Sequence, residues 1–287
     1  MSINIKIEIA KGVDSFLEKT QSLLSQREAE YSLQLGLCVL RKANPKNPDD
    51  YVYITVSKDG HLVGAAVLTE RALIVSALEE PLVVELVRFL KEKNINFSGV
   101  VGPAITSEAL IRIFGKLSNQ KFRLNMGQKI YALTEVTFPE NVEGQLSLAK
   151  DFHKDLVGQW LYEFSCESLP NEKTTLEKTL ELADGKIKKG EVYLWLDQGG
   201  NPVSMNLVGR PTENGISVSG VYTPKNLRKR GYASGVVAGA SQKMLDSGKQ
   251  FCVLYTDVAN PTSNKIYQQI GYKEIATSKY FVFGGAL

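Results

Sequence analysis

Arg228-Lys229-Arg230-Gly231 stands between an apolar run ending at Thr223 and a helix-forming run that begins near Ala233. Strand, basic turn, glycine, helix is an arrangement suited to holding an anion. The first N–H groups of a helix have no partner within it, and the helix dipole places partial positive charge there. Three cations at that point oppose the dipole, and a bound phosphate would offset the conflict. Gly231 lets the backbone approach the anion with no Cβ between them. A solvated basic turn ahead of a helix is the alternative reading. Two other phosphate loops are missing: there is no G-x-x-x-x-G-K-S/T, and no G-x-G-x-x-G at a strand–helix junction. That disfavours kinases, NTPases and dinucleotide dehydrogenases.

Composition sets few limits. The 287 residues suit two domains better than one. Lys and Arg number 34 against 31 Asp and Glu, a net charge of +3 that predicts neither a nucleic-acid nor a membrane partner. No apolar run is long enough to span a bilayer, and Met1–Lys6 lacks a signal-peptide pattern, so a cytoplasmic protein is expected. Cys38, Cys166 and Cys252 are scattered through apolar segments and read as reduced core thiols. With only His61 and His153, a histidine-rich metal site is excluded and no metal is expected.

The elements that must position the basic turn come in two similar sets. In the first, a long amphipathic helix covers roughly 13–40, and strands at Tyr51–Val56 and His61–Thr69 flank a Lys58-Asp59-Gly60 turn, a hairpin pattern. A strand at Leu73–Ser76, a helix at Pro81–Lys93, a strand at Gly99–Val101 and a helix at Ser107–Leu117 follow. Strands near Phe122 and at Ile130–Val136 end the set. Phe138–Gly144 is a polar break with Pro139 and Gly144, read as the boundary between domains 1–138 and 142–287. The second set has helices at Phe152–Glu167 and Glu172–Lys188, a hairpin of Glu191–Leu196 and Pro202–Val208 about Asp197–Gly200, and a strand at Ile216–Thr223. A helix at Ala233–Ser247, a strand at Phe251–Thr256, a helix at Thr262–Ile270 and strands at Tyr272–Ala276 and Tyr280–Phe283 complete it. This reads as an internal duplication, with two unrelated α/β units as the alternative. The first set has Glu79-Glu80-Pro81 where the second has its cations, and carboxylates there would repel phosphate.

Arg228 to Ala233 reads R-x-x-G-x-A, which resembles the coenzyme A pyrophosphate loop of the GCN5-related N-acetyltransferases, Q/R-x-x-G-x-G/A. A second stretch, Asn260-Pro-Thr-Ser263-Asn264-Lys-Ile-Tyr267-Gln-Gln-Ile-Gly271-Tyr272, resembles that family's Asn, small residue and Tyr on a helix, then Gly and an aromatic. The specific resemblance covers about 142–287. It implies an α/β fold (α+β in some schemes) of two units, each a mixed, mostly antiparallel sheet flanked by helices, with the N-terminal copy degenerate.

The resemblance also implies acetyl-CoA as co-substrate, lying where the strand ending at Thr223 splays from the Phe251–Thr256 strand. Backbone groups at Val221, Tyr222 and Thr223 would pair with the pantetheine arm, and an N–H near Val221 would polarise the thioester carbonyl. Amides of Lys229, Arg230, Gly231, Tyr232, Ala233 and Ser234 would cradle the pyrophosphate, with Arg228 and Arg230 adding charge. Tyr267 would be the acid for the departing thiolate, with a core aromatic as the alternative. Asn260, Ser263 and Asn264 would contact the cofactor arm; helix capping explains Asn260 equally well. Gly271 reads as a helix C-cap. Lys225 stands where relatives often carry a second proline, which implies a looser loop. Glu163, Glu167, Tyr222 and Asp257 are candidates near the acceptor's base; His153 reads as a helix start and Cys252 as a buried strand residue. The expected reaction is direct acetyl transfer to a primary amine, on a small molecule or a peptide, in a protein that could form a homodimer. A non-catalytic acyl-CoA sensor and a longer-chain acyltransferase are the alternatives.

Overall fold

The computed structural model describes residues 4–44, 51–168 and 174–284. The N-terminal half runs β1 Ile5–Ile9, α1 Val13–Leu24, α2 Ser32–Ala43, β2 Val52–Lys58, β3 His61–Leu68, β4 Leu73–Val75, α3 Glu80–Glu92, β5 Gly99–Pro103, α4 Ala104–Ser118 and β6 Phe122–Leu133. The C-terminal half runs β7 Gln145–Leu148, α5 Lys154–Ser168, α6 Leu176–Lys188, β8 Val192–Leu196, β9 Pro202–Gly209, β10 Gly215–Tyr222, α7 Tyr232–Asp246, β11 Phe251–Asp257, α8 Pro261–Ile270 and β12 Lys273–Phe283. The order of helices and strands is the same in both. The helix start expected at Glu172 lies outside the described residues.

The twelve strands of the described residues form one sheet in the order β1-β2-β3-β4-β5-β12-β6-β11-β10-β9-β8-β7. Its centre holds an exchange. β12 pairs with β5 of the first half, from Ser278↔Pro103 to Val282↔Gly99, while β6 pairs with β11 of the second, from Cys252↔Leu133 to Asp257↔Gln128. β6 and β12 lie antiparallel along their length, from Lys273↔Ala132 to Phe283↔Phe122. The sequence reading placed two strands at the end of each half. Each pair is instead one long strand, because neither Arg123–Lys129 nor Ala276–Lys279 carries a two-residue hairpin turn, and a long partner across the seam pairs the whole backbone.

Strand alternation separates the helices into two layers. Tyr53, Ala65 and Val67 pack with α1 and α2, whereas Ile54, Val56 and Ala66 pack with α3 and α4. In the second half Leu194, Met205 and Leu207 face α5 and α6, and Tyr193, Val208, Cys252 and Leu254 face α7 and α8. On β11, Tyr255 alternates with Leu254 and its hydroxyl donates to the carbonyl of Glu30 at 3.1 Å, so α1, α2, α5 and α6 share one face.

Three expectations need correction. The long N-terminal helix is two helices, broken at residues 25–31. There Glu28 turns onto the other half, accepting hydrogen bonds at 2.8 Å from the backbone and side-chain nitrogens of Asn214. This contact outweighs the helical propensity of the segment. β1 and β7 are short edge strands that sequence reading passed over, although both alternate apolar and polar residues. Cys38 and Cys252 are buried, but Cys166 is exposed on the outer side of α5.

Candidate functional site

The site begins where β10 leaves its neighbours. β10 runs parallel to β11 only over Gly215↔Phe251, Ile216↔Cys252 and Ser217↔Val253. Beyond Ser217 the two strands part. On its other edge β10 pairs with β9, but its register shifts between Ser219 and Tyr222. Gly220 sits in this bulge at φ 58°, a left-handed conformation that glycine adopts without cost. The bulge takes residues 220 and 221 out of the β9 ladder, which leaves backbone groups beside Val221 for the opening. The signal for it was a glycine inside an apolar strand, and sequence reading did not use it.

Below the opening lies the basic turn. Lys229 (φ 65°) and Gly231 (φ 80°) are both left-handed, and α7 starts at Tyr232 with no capping side chain among the described residues. Its first-turn amides, from Tyr232, Ala233 and Ser234, therefore lack intrahelical partners and form a concave donor set. A Cβ on Gly231 would come within 2.6 Å of Val142, so the turn rests directly on the segment joining the halves. Lys229 and Arg230 are exposed. Such a turn suits a pyrophosphate: uncapped N–H groups, a dipole of the right sign and two free-standing cations.

Arg228 departs from expectation. Its Nε donates to the carbonyl of Thr223 at 2.9 Å, Nη2 lies 2.7 Å from Glu167 Oε2, and the guanidinium carbon is 5.6 Å from the centre of the Tyr222 ring. Arg228 faces α5, away from the amides of the turn, because Glu167 offers it a carboxylate. Lys225 is 3.7 Å from the same carboxylate.

Around Tyr222 the structure brings together residues that sequence reading considered separately. The Tyr222 hydroxyl donates to Glu163 Oε2 at 2.7 Å and lies 3.4 Å from Glu167 Oε1. Burial, then the hydrogen bond to Glu163 and the two carboxylate charges, raise this phenol well above its ordinary value. Ser204, which sequence reading missed, donates to the Tyr222 carbonyl at 3.0 Å and is 2.8 Å from the Thr223 hydroxyl, fixing the end of β10. Nothing in the apolar-polar pattern of β9 marked that serine.

On α8, Asn260 caps the helix: Oδ1 accepts from the Ser263 amide at 3.1 Å. Asn264 is nearly buried and ties α8 to β11, donating to the carbonyls of Asp257 at 3.1 Å and Asn260 at 2.8 Å, while its Oδ1 has no partner among the described residues. Asp257 Oδ1 accepts from the Ala259 amide, so it shapes the turn. Tyr267 packs half-buried against Tyr272, ring centres 6.0 Å apart, and burial pushes its phenol up to about 12. Gly271 ends α8 at φ 108° as the expected C-cap. His153 Nδ1 accepts from the Lys150 amide at the start of α5, and Cys252 is buried beside Ser241, its thiol pushed up to about 12. Among the described residues no cluster of three or more His, Cys, Asp or Glu could hold a metal, and no helix is long and apolar enough to cross a membrane.

Residues 209–282, from the end of β9 into β12, match the family model described as FR47-like protein. No curated protein matches the chain. Solved structures resemble it over almost its whole length. A GCN5-related N-acetyltransferase from Sphaerobacter thermophilus is 16% identical with a TM-score of 0.62, covering 96% of this chain and 94% of its own. A Drosophila protein reaches a TM-score of 0.69 at 10% identity, covering 97% and 98%. A tandem GNAT protein from the clavulanic acid biosynthesis pathway reaches 0.53 at 8% identity, covering 99% and 100%. In fold, therefore, this chain is similar to the GCN5-related N-acetyltransferases, a tandem one among them.

Proposed function

We propose that the C-terminal half, residues 142–287, is a cytoplasmic N-acetyltransferase that binds acetyl-CoA between the parted ends of β10 and β11, and that the first half, 1–138, carries no such site. The observation that carries this reading is a succession of three features along residues 215–234. It comprises strands that separate after Ser217, a bulge at Gly220, and an uncapped helix start with two exposed cations. The bulge frees backbone groups to pair with an amide-bearing arm, and the turn supplies donors for its phosphates. In this reading the Val221 amide donates to the thioester carbonyl as negative charge builds on its oxygen.

The amine nitrogen attacks the thioester carbon, its bond to carbon forms, and the carbon–sulfur bond breaks with its electron pair passing to sulfur. Tyr267 supplies the proton that the thiolate takes up; with its phenol held near 12 it is protonated at any working pH. Glu163 and Glu167, beside Tyr222, attract the acceptor's ammonium; Glu163 takes one proton from it, which frees the lone pair for attack, and the second proton, lost once the carbon–nitrogen bond has formed, passes through solvent to restore the Tyr267 phenol. An acceptor of this kind is a primary amine on a small molecule or a peptide. Positioning and carbonyl polarisation account for most of the acceleration, and no covalent enzyme intermediate is needed.

Calorimetry tests the site. Wild type should bind acetyl-CoA with a Kd of about 1–100 μM, roughly −8 to −5.5 kcal/mol. The charge-reversed variant Arg228→Glu with Arg230→Glu should not bind. Absence of binding by the wild type defeats the proposal, and equal binding by the variant removes the turn from it.

A further inference from the structure

The sheet ends on β1 at one side and β7 at the other. β1 is the run Ile5-Lys6-Ile7-Glu8-Ile9, antiparallel to β2 from Ile5↔Lys58 to Ile9↔Ile54. The Asn4 carbonyl accepts from the Asp59 amide and the Ala10 amide donates to Tyr53, which fixes the phase of the ladder. Hydrogen-bonded pairs alternate along an antiparallel ladder, so the even residues of β1 turn their backbone groups to β2. Ile5, Ile7 and Ile9 direct theirs outward, where no strand of the described residues meets them.

The side chains alternate too. Ile5 and Ile7 pack on the core that α3 covers, and beside them an open cleft of about 160 Å³ is walled by Glu85, Arg88, Phe89 and Glu92. Ile9, on the same face by alternation, is 47% exposed. Lys6 and Glu8 lie on the opposite face, 2.9 Å apart and partly solvated. Edge strands are commonly guarded by charge, lysine above all, because like charges keep copies apart. β1 lacks that guard. Its two charges are opposite in sign and equally distant from Ile7. A two-fold axis through Ile7 therefore sets Lys6 of each copy opposite Glu8 of the other, and Ile5 opposite Ile9. A register centred on Lys6 or on Glu8 would oppose like charges and shorten the ladder. The other edge, Gln145–Leu148, carries no charge and has no such symmetry.

We propose that β1 is a self-association edge: two copies of this chain join their β1 strands antiparallel about Ile7, and the two sheets become one. The Ile7 residues exchange both N–H···O bonds, and each Ile5–Ile9 pair does the same. Ile9 of each copy covers Ile5 of the other at the cleft beside α3. Five residues make an interface well below the roughly 1,200 Å² of a stable one, so a dissociation constant of about 10–100 μM is expected. The basic turn lies in the other half of the chain, and the proposal does not depend on the acetyltransferase reading.

Sedimentation equilibrium on the full chain at low salt, over about 5–500 μM to bracket that constant, gives the test. Wild type should pass from monomer to dimer across this range. Lys6→Glu puts a carboxylate opposite Glu8 in both cross-strand pairs, and Glu8→Lys puts an ammonium opposite Lys6 in both. Each variant should dimerise at least about tenfold more weakly. Mixed in equal amounts, the two variants should form a heterodimer about as tight as the wild-type dimer, since every cross-strand charge then meets its opposite. A wild type that stays monomeric throughout would overturn the proposal, and that result depends on no variant. Dimers that persist unchanged in both variants would overturn it too, as would folded variants that fail to associate on mixing.

Discussion

Arg228 Nη2 lies 2.7 Å from Glu167 Oε2, a carboxylate 61 residues earlier on another helix, so the first cation of the basic turn is committed to α5. Pairing of this kind competes with any anion at the turn. The pair is partly solvated, so its worth is modest, about 0–1 kcal/mol. Glu167→Gln should release Arg228 and tighten acetyl-CoA by up to about fivefold at low salt, with a steeper salt dependence. Calorimetry at two ionic strengths reads both. Weaker binding in this variant would mean that the paired pose of Arg228 is the one that meets the ligand.

Tyr267→Phe separates binding from chemistry. Acetyl-CoA affinity should stay within about twofold, whereas kcat should fall about 10²–10⁴-fold, the usual span for a lost general acid. Burial raises the Tyr267 phenol to about 12, so its proton is present below that value and is lost only as pH rises through it. Wild-type kcat should therefore show no alkaline decline from this group between pH 7 and 10, in a pH-rate profile taken with a saturating amine. Turnover preserved in Tyr267→Phe would assign the proton to water.

The contact of Glu28 with Asn214 ties the halves together and should make the seam acid-sensitive. Burial raises this carboxyl, but hydrogen bonds from Thr212 and Asn214 outweigh it, and the net direction is below the ordinary 4.5. A depressed folded value means that the stabilisation is present above about 4.5 and is lost as pH falls through the folded value. Glu28→Gln should lower stability by about 1.5–3 kcal/mol near neutrality and by less at low pH, since the lost bonds are to a charged acceptor. Urea titrations at pH 7 and pH 3.5 would reveal this convergence; parallel losses at both would contradict it.

Helix ends, hairpins and the strand, turn and helix order around residues 228–231 were legible in the sequence because their signals are local. Asp59 (φ 50°) and Gly60 (φ 81°) are a turn the sequence spells out, as is the Asn260 cap on Ser263. The break at residues 25–31 was not legible, since Glu28 and Glu30 are bent by Asn214 and Tyr255, nearly two hundred residues away or more. Arg228's turn toward Glu167 and the grouping of Tyr222 with Glu163 and Glu167 are likewise long-range. The exchange of β6 and β12 was hidden for a further reason: strand alternation says which face a residue occupies, not which half of the chain supplies its neighbour.

That exchange predicts how the halves behave apart. Residues 142–287 alone would leave β11 without β6, and residues 1–141 would leave β5 without β12, each with open ladder groups at a central edge. Each fragment should aggregate or self-associate, and co-expression should restore one soluble complex by size-exclusion chromatography. Two separately soluble monomers would argue that the seam is not needed for folding.

For a chain emerging from the ribosome, the same exchange fixes an order of events. β5 has only its short ladder to β4 until residues 273–283 have been made, long after its own half has appeared. Through most of synthesis the nascent N-terminal half exposes β5 and β6 as unsatisfied template strands. Closing that gap joins residues more than 150 positions apart, such as Phe122 with Phe283 and Val100 with Phe281, so a high contact order and a slow final step are built into the topology.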